Sequence, residues 1–123
     1  MAVNKLLLVE DDFDLREVLC DMFMSQGYQC DLADNGAHAL ELMSKNDYVC
    51  VVSDIKMPIK TGIDLVQDIE ARNIKTPVFF ITACNEYTDE YAYEKGASGL
   101  IYKPFSMDQI KEITNEFIDL LQD

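Results

Sequence analysis

Short apolar segments recur along the chain, each followed by a stretch with helical spacing. The first, Leu6 to Val9, is uninterrupted and stops abruptly at Glu10, Asp11 and Asp12. Leu15, Leu19, Met22 and Phe23 then lie on one face of a predicted helix, which Gly27 ends. Tyr28 to Leu32 reads as a second strand, Asp34-Asn35-Gly36 as a turn, and Ala37, Leu40 and Met43 as a short second helix. Tyr48 to Val52 is another unbroken apolar run, ending in Ser53-Asp54. Met57-Pro58 breaks the chain, and Thr61-Gly62 opens a helix carrying Ile63, Leu65, Val66 and Ile69. The run Pro77 to Ile81 ends in Thr82-Ala83, and a shorter helix with Tyr87, Tyr91 and Ala92 follows, closed by Gly96. Leu100 to Tyr102 predicts a fifth strand ending in Lys103-Pro104. Ser106 and Gln109 have the spacing of a capping box, opening a last helix with Ile110, Ile113, Phe117, Leu120 and Leu121 on one face.

This order is five β-α units in succession. Apolar runs without alternation imply strands buried on both faces, hence a parallel sheet with helices on each side, a doubly wound α/β fold. No repeat or linker interrupts residues 1–123, so one domain is expected. With 49% hydrophobic residues the chain can bury a real core. No apolar stretch approaches the roughly 18–20 residues of a membrane span, and the first residues do not form a signal peptide. The expectation is a cytoplasmic protein without membrane association. A formal net charge of −13 repels nucleic acid phosphates, which argues against direct nucleic acid binding. Cys20, Cys30, Cys50 and Cys84 form no CxxC pair, and no histidine stands at zinc-site spacing, so they read as small free thiols in a reducing compartment. His38 reads as a surface or capping residue.

In open parallel sheets, ligands bind at the carboxyl ends of the strands. Four of the five strand ends here carry a charged or hydroxyl residue: Glu10, Asp11 and Asp12, then Asp54, Thr82 and Lys103. Each has an ordinary explanation alone. Asp11 or Asp12 could cap a helix, Asp54 could start a turn, Thr82 could cap, and Lys103 could be solvated. Their coincidence on one sheet edge points to chemistry. Gathered carboxylates repel one another, and a hard divalent cation relieves that repulsion. A carboxylate beside such a cation can attack phosphorus, with Lys103 and Thr82 placed to steady the transferred oxygens.

The strings Leu7-Leu8-Val9-Glu10-Asp11-Asp12, Ser53-Asp54-Ile55-Lys56-Met57-Pro58 with Gly62, Ile81-Thr82-Ala83 and Lys103-Pro104-Phe105 resemble the receiver domain of two-component response regulators, the chemotaxis regulators included. The likeness runs from about Lys5 to Leu121. It implies a flavodoxin-like sheet of order 2-1-3-4-5 with five helices, a signalling domain rather than a turnover enzyme, and Mg²⁺ as cofactor with Mn²⁺ as a possible substitute. By the resemblance Asp54 is the phosphoacceptor. Asp11 is the direct metal ligand, Glu10 the acid acting through water, and the Lys56 backbone carbonyl a further ligand. Thr82 is the hydroxyl that moves to the phosphoryl group, Ala83 keeps the site open, and Lys103 pairs with the phosphoryl oxygens. Pro104 matches the family's proline, with a cis Lys103-Pro104 bond expected. The sequence departs at two positions. The switch position three residues before the lysine is Leu100 rather than Tyr or Phe, with Tyr102 nearby, and Lys56 is a long cation that could steady the phosphoryl group or obstruct attacking water.

The resemblance further implies a sensor histidine kinase or histidine phosphotransfer protein as donor and a downstream protein as target. Leu15, Val18, Met22 and Pro104, with Phe105 at the edge, are expected to form the donor's docking patch. A monomer is expected, because from Asn85 to Asp123 carboxylates outnumber the lysines Lys95, Lys103 and Lys111, and a two-fold contact there would set acid against acid. A second reading is the N-terminal receiver of a longer regulator with a DNA-binding or enzymatic output. The remotest is a flavin- or nucleotide-binding protein, which would need a phosphate-cradling loop where Glu10-Asp11-Asp12 stands.

Overall fold

The computed structural model describes residues 4–57, 59–83, 86–103 and 106–121, with side chains up to 115. Five strands, β1 (Lys5–Val9), β2 (Gln29–Ala33), β3 (Cys50–Asp54), β4 (Val78–Thr82) and β5 (Gly99–Tyr102), form one parallel sheet of order β2-β1-β3-β4-β5. They alternate with the helices α1 (Phe13–Met24), α2 (Gly36–Met43), α3 (Gly62–Ala71), α4 (Asp89–Glu94) and α5 (Met107–Leu121). The doubly wound fold and the strand order are as expected.

The sheet has a core on each face because neighbouring strand residues point to opposite sides. Leu7, Val9, Val51, Val78 and Phe80 pack with Leu40, Leu65, Val66 and Ala92 of α2, α3 and α4. Leu6, Leu8, Cys50, Val52, Phe79 and Ile81 pack with Leu19, Phe23, Ile110 and Ile113 of α1 and α5. Burying a side chain such as Leu6 or Phe80 contributes about 1.5–3 kcal/mol. The central strands β1, β3 and β4 are buried almost throughout, whereas the edge strands β2 and β5 are partly exposed. Among the described residues, no helix is long and apolar enough to cross a membrane.

Strand limits differ from the apolar runs by one or two residues. Tyr48 and Val49 are buried but precede β3, and Asp54 and Thr82 belong to their strands, with Asp54 in register with Ile81 and Thr82 with Tyr102. Burial sets the apolar run while backbone pairing sets the strand, and at the sheet's carboxyl edge pairing continues past the apolar residues. Tyr87 likewise precedes α4, which Thr88 caps. The capping box of α5 is present: Ser106 N–H donates to Gln109 Oε1, and Gln109 N–H to Ser106 Oγ. Pro58, Cys84, Pro104 with its expected cis bond, and Phe105 lie outside the described residues, as do the side chains of Phe117, Leu120 and Leu121.

Thr61 opens α3 with a capping box shared with Asp64, and Gly62 N–H donates to the Ile55 carbonyl at 2.8 Å. A Cβ at Gly62 would lie 2.4 Å from the Asp54 carbonyl oxygen and 3.1 Å from Ile55 Cα. Both are backbone atoms and cannot swing aside. Gly62→Ala is therefore expected to destabilise the domain by about 1–3 kcal/mol in urea unfolding, the usual cost of overpacking. An unchanged midpoint would contradict this.

Candidate functional site

Parallel pairing brings the ends of β1, β3, β4 and β5 to one edge. Glu10 follows β1 directly, and its N–H donates to the Ala33 carbonyl, which fixes the side chain inward at 1% exposure. Glu10 Oε1 accepts from Asp12 N–H at 3.2 Å. Asp12 itself caps α1, accepting from Leu15 N–H at 3.2 Å. The choice between Asp11 and Asp12 as cap is thereby settled, and Asp11 joins the acidic group. Carboxylate oxygens of Glu10, Asp11 and Asp54 lie within 4.8 Å of one another.

Asp54, the last residue of β3, is 7% exposed and accepts from Lys56 N–H at 3.3 Å. Lys103 follows β5, and its N–H donates to the Thr82 carbonyl at 2.8 Å. Its ammonium bridges two acids, at 2.8 Å from Asp54 Oδ2 and 2.9 Å from Glu10 Oε2. Asp54, Lys56, Thr82, Ala83 and Lys103 line a cavity of about 260 Å³. Of the positions singled out from the sequence, Glu10, Asp11, Asp54, Lys56, Thr82, Ala83 and Lys103 thus reach this edge.

Burial pushes the Glu10 carboxyl up to about 7, with the Asp54 charge adding to it and the hydrogen bond from Lys103 opposing it. For Lys103, burial favours the neutral amine, but the hydrogen bonds to Asp54 and Glu10 outweigh it and raise the ammonium above its usual range. Three close carboxylates against one ammonium leave an excess of negative oxygen, which fits a hard divalent cation.

A carboxyl raised from 4.5 to about 7 binds its proton more tightly in the folded chain than in the unfolded one. Its stabilising contribution is complete below the unfolded value and lost as pH rises through the folded one. In EDTA, the wild type is therefore expected to lose more thermal stability than Glu10→Gln between roughly pH 4.5 and 7. Parallel pH profiles of the two would contradict the assignment.

Two contacts had no signal in the sequence reading. Arg16 Nη1 donates to the Glu10 carbonyl at 3.0 Å, tying α1 to the turn that carries the acids. An arginine one turn past the Asp12 cap is the pattern that could have shown it. Tyr102, beside the departure at Leu100, donates its hydroxyl to the Tyr87 carbonyl, linking β5 to the loop ahead of α4. Leu100 is half-buried against the core on the α3 and α4 side. In the expected docking patch Val18 is 51% exposed, but Leu15 and Met22 are half-buried, and Met22 packs on the core. Phe13, at 61% exposure, is a larger apolar surface on the same helix. His38 is half-buried in α2, with its ring 3.4 Å from Asp34.

Comparison with known proteins agrees with this geometry. The chain is 32% identical over 120 residues to the regulatory protein AtoC of Escherichia coli, covering 97% of this chain and 26% of that protein. It is 37% identical over 112 residues to the sensor histidine kinase RcsC of Escherichia coli, covering 89% of this chain and 12% of that one. The chain thus spans well under two thirds of either relative. Among solved structures, the receiver domain of the Francisella response regulator 1452 superposes with a TM-score of 0.87 at 28% identity, covering 96% of this chain and 98% of that one. The response regulator TrrA of Thermotoga maritima, in complex with Mg²⁺-BeF, gives 0.84 at 27% identity, covering 94% and 99%. The family profile of the response regulator receiver domain matches residues 6–115, and the chain belongs to that family.

Proposed function

We propose that Asp54 accepts a phosphoryl group from a phosphohistidine donor and that its phosphorylation switches protein contacts. The observation that carries this reading is the Lys103 ammonium held on Asp54 Oδ2 beside a cavity also lined by Thr82. An Asp54 carboxylate oxygen attacks phosphorus, a P–O bond forms, and the P–N bond to the donor imidazole breaks. Lys103 shifts from the carboxylates to a phosphoryl oxygen, and the Thr82 hydroxyl donates to another. Asp11 and Asp54, with Glu10 acting through water and the Lys56 carbonyl, would hold Mg²⁺, or Mn²⁺ in its place. When bound, the cation supplies positive charge that lets the acids sit together and offsets the charge of the incoming phosphoryl group. Incubation with Mg²⁺ and acetyl phosphate, followed by peptide mass mapping, tests the reading. One phosphoryl group at Asp54 is expected, and none, or one elsewhere, would overturn it.

The donor is a sensor histidine kinase or a histidine phosphotransfer protein in the cytoplasm, docking on the exposed side of α1. Phe13 and Val18 offer unburied apolar surface there, close to the acids at the head of the helix. Val18→Asp is expected to cut transfer from the protein donor at least tenfold, a hot-spot loss of about 1.4 kcal/mol or more. Labelling by acetyl phosphate should be unchanged. Equal loss in both assays would mean damage to the fold. We read the chain as monomeric, since the acids Glu86, Asp89, Glu90, Glu94, Asp108 and Glu112 would face themselves across a two-fold contact at α4, β5 and α5.

A second reading follows from the lengths of the relatives. The chain matches about a quarter of AtoC, so it could be one module of a longer regulator whose output lies beyond residue 123. Sequencing the gene past the codon for Asp123 decides between the two.

A further inference from the structure

Away from the acidic edge, Cys20 and Met24 of α1 and Cys30 of β2 gather where the last turns of the helix lie against the strand. Cys20 Sγ is 3.6 Å from Met24 Sδ, one helical turn further along. Cys30, on β2, places its Sγ 3.9 Å from the Cys20 carbonyl oxygen, and the two thiols interact side chain to side chain. Cys20 is 9% exposed and Cys30 half-buried, on the apolar floor made by Leu19, Phe23 and Cys50. Met24 is 56% exposed and opens the group to solvent. Glu17 and Asp21 add negative charge around the Cys20 thiol, as Asp31 does around Cys30.

We infer that Cys20, Cys30 and Met24 form a binding site for a soft monovalent cation of the Cu(I) and Ag(I) class. Thiolate and thioether sulfur are the donors such ions select, whereas Mg²⁺ prefers the oxygens of Glu10, Asp11 and Asp54. The chain would sort cations by hardness, with oxygen at the sheet's carboxyl edge and sulfur against β2. Structural zinc takes four nitrogen or sulfur donors, and the acidic group is the one cluster of three or more His, Cys, Asp and Glu among the described residues. Burial and the nearby carboxylates hold both thiols protonated in the metal-free protein. The same carboxylates attract a cation. On binding, each thiol gives its proton to solvent and a metal–sulfur bond forms in its place, with no change of oxidation state. The solvent-facing thioether of Met24 provides the access route and the third, neutral donor.

The experiment uses the full chain as Cys84→Ser, which removes the thiol lying outside the described residues. The protein is kept anaerobic and titrated with tetrakis(acetonitrile)copper(I) against the chromophoric chelator bicinchoninate. One equivalent of Cu(I) withheld from the chelator is expected. Cys20→Ser and Cys30→Ser should each abolish the retention, and Met24→Leu should weaken it several-fold. Acetyl phosphate labelling and far-UV circular dichroism report whether each variant is folded. If a cysteine variant fails to fold, Met24→Leu still decides the matter, because Met24 is exposed and its replacement keeps the bulk of the side chain. No retained copper, retention undiminished in folded Cys20→Ser or Cys30→Ser, or an unaltered affinity in Met24→Leu would overturn the site.

Discussion

Asp54→Asn is expected to reduce phosphoryl uptake from acetyl phosphate by several orders of magnitude, the scale on which removal of a nucleophile acts. The argument turns on which of three neighbouring carboxylates faces the reacting group. Glu10 is 1% exposed, is held by Asp12 N–H and the Lys103 ammonium, and does not line the cavity. Asp11 is exposed and does not line the cavity. Asp54 lines the cavity together with Thr82 and Lys103, and Lys103 already sits on one of its oxygens. The amide of Asn is nearly the same size, so the sheet edge should fold as before and the loss should be chemical. Intact-mass spectra of wild type and variant, after equal exposure to donor and Mg²⁺, give the measurement. Continued mass gain in Asp54→Asn would transfer the role to Glu10 or Asp11.

Much of this site was legible in the sequence because a parallel sheet converts linear order into position. An apolar run that stops at Glu10, Asp54, Thr82 or Lys103 places that residue at the sheet's carboxyl edge, whatever the details of packing. What the sequence did not show was how the side chains pair there. That Asp12 caps α1 while Asp11 joins the acids depends on which backbone N–H lies within reach, and both residues are equally good caps in isolation. The bridging of Glu10 and Asp54 by Lys103 joins residues at the ends of three different strands and has no local signature. The role of Gly62 was hidden for the same reason: its constraint comes from the Asp54 carbonyl across the loop rather than from its own backbone angles. Strand limits were off by one or two residues because hydrophobicity reports burial, while the pairing of Asp54 with Ile81 is made by the backbone. On α1, helical spacing marked Leu15 and Met22 as readily as it marked the core residues Leu19 and Phe23, and only the fold shows that Leu15 and Met22 are half-buried while Phe13 joins Val18 on the exposed side.

Lys103→Met separates two consequences of one ammonium. The substitution keeps an unbranched stem of similar length, and the backbone bond from residue 103 to the Thr82 carbonyl does not involve the side chain. What is lost is the positive charge shared by Glu10 and Asp54, which are 1% and 7% exposed. A buried ion pair broken from one side typically costs about 3–5 kcal/mol, because the remaining charge is left uncompensated. Here Glu10 can take up a proton, since its carboxyl is already raised to about 7, so a smaller loss of about 1–3 kcal/mol is expected in EDTA. Adding Mg²⁺ should recover most of that loss, because it returns positive charge to the same oxygens. Phosphoryl uptake should not recover with it. The transferring group carries its charge on oxygens that Lys103 would meet, and removing one such preorganised donor slows reaction by about 10²–10³-fold. Urea unfolding in EDTA and in Mg²⁺, set beside the rate of mass gain from acetyl phosphate, reads the two effects independently. Uptake within a few-fold of wild type would remove Lys103 from the transfer. A stability deficit that Mg²⁺ leaves untouched would show that the ammonium and the cation do not answer to the same pair of carboxylates.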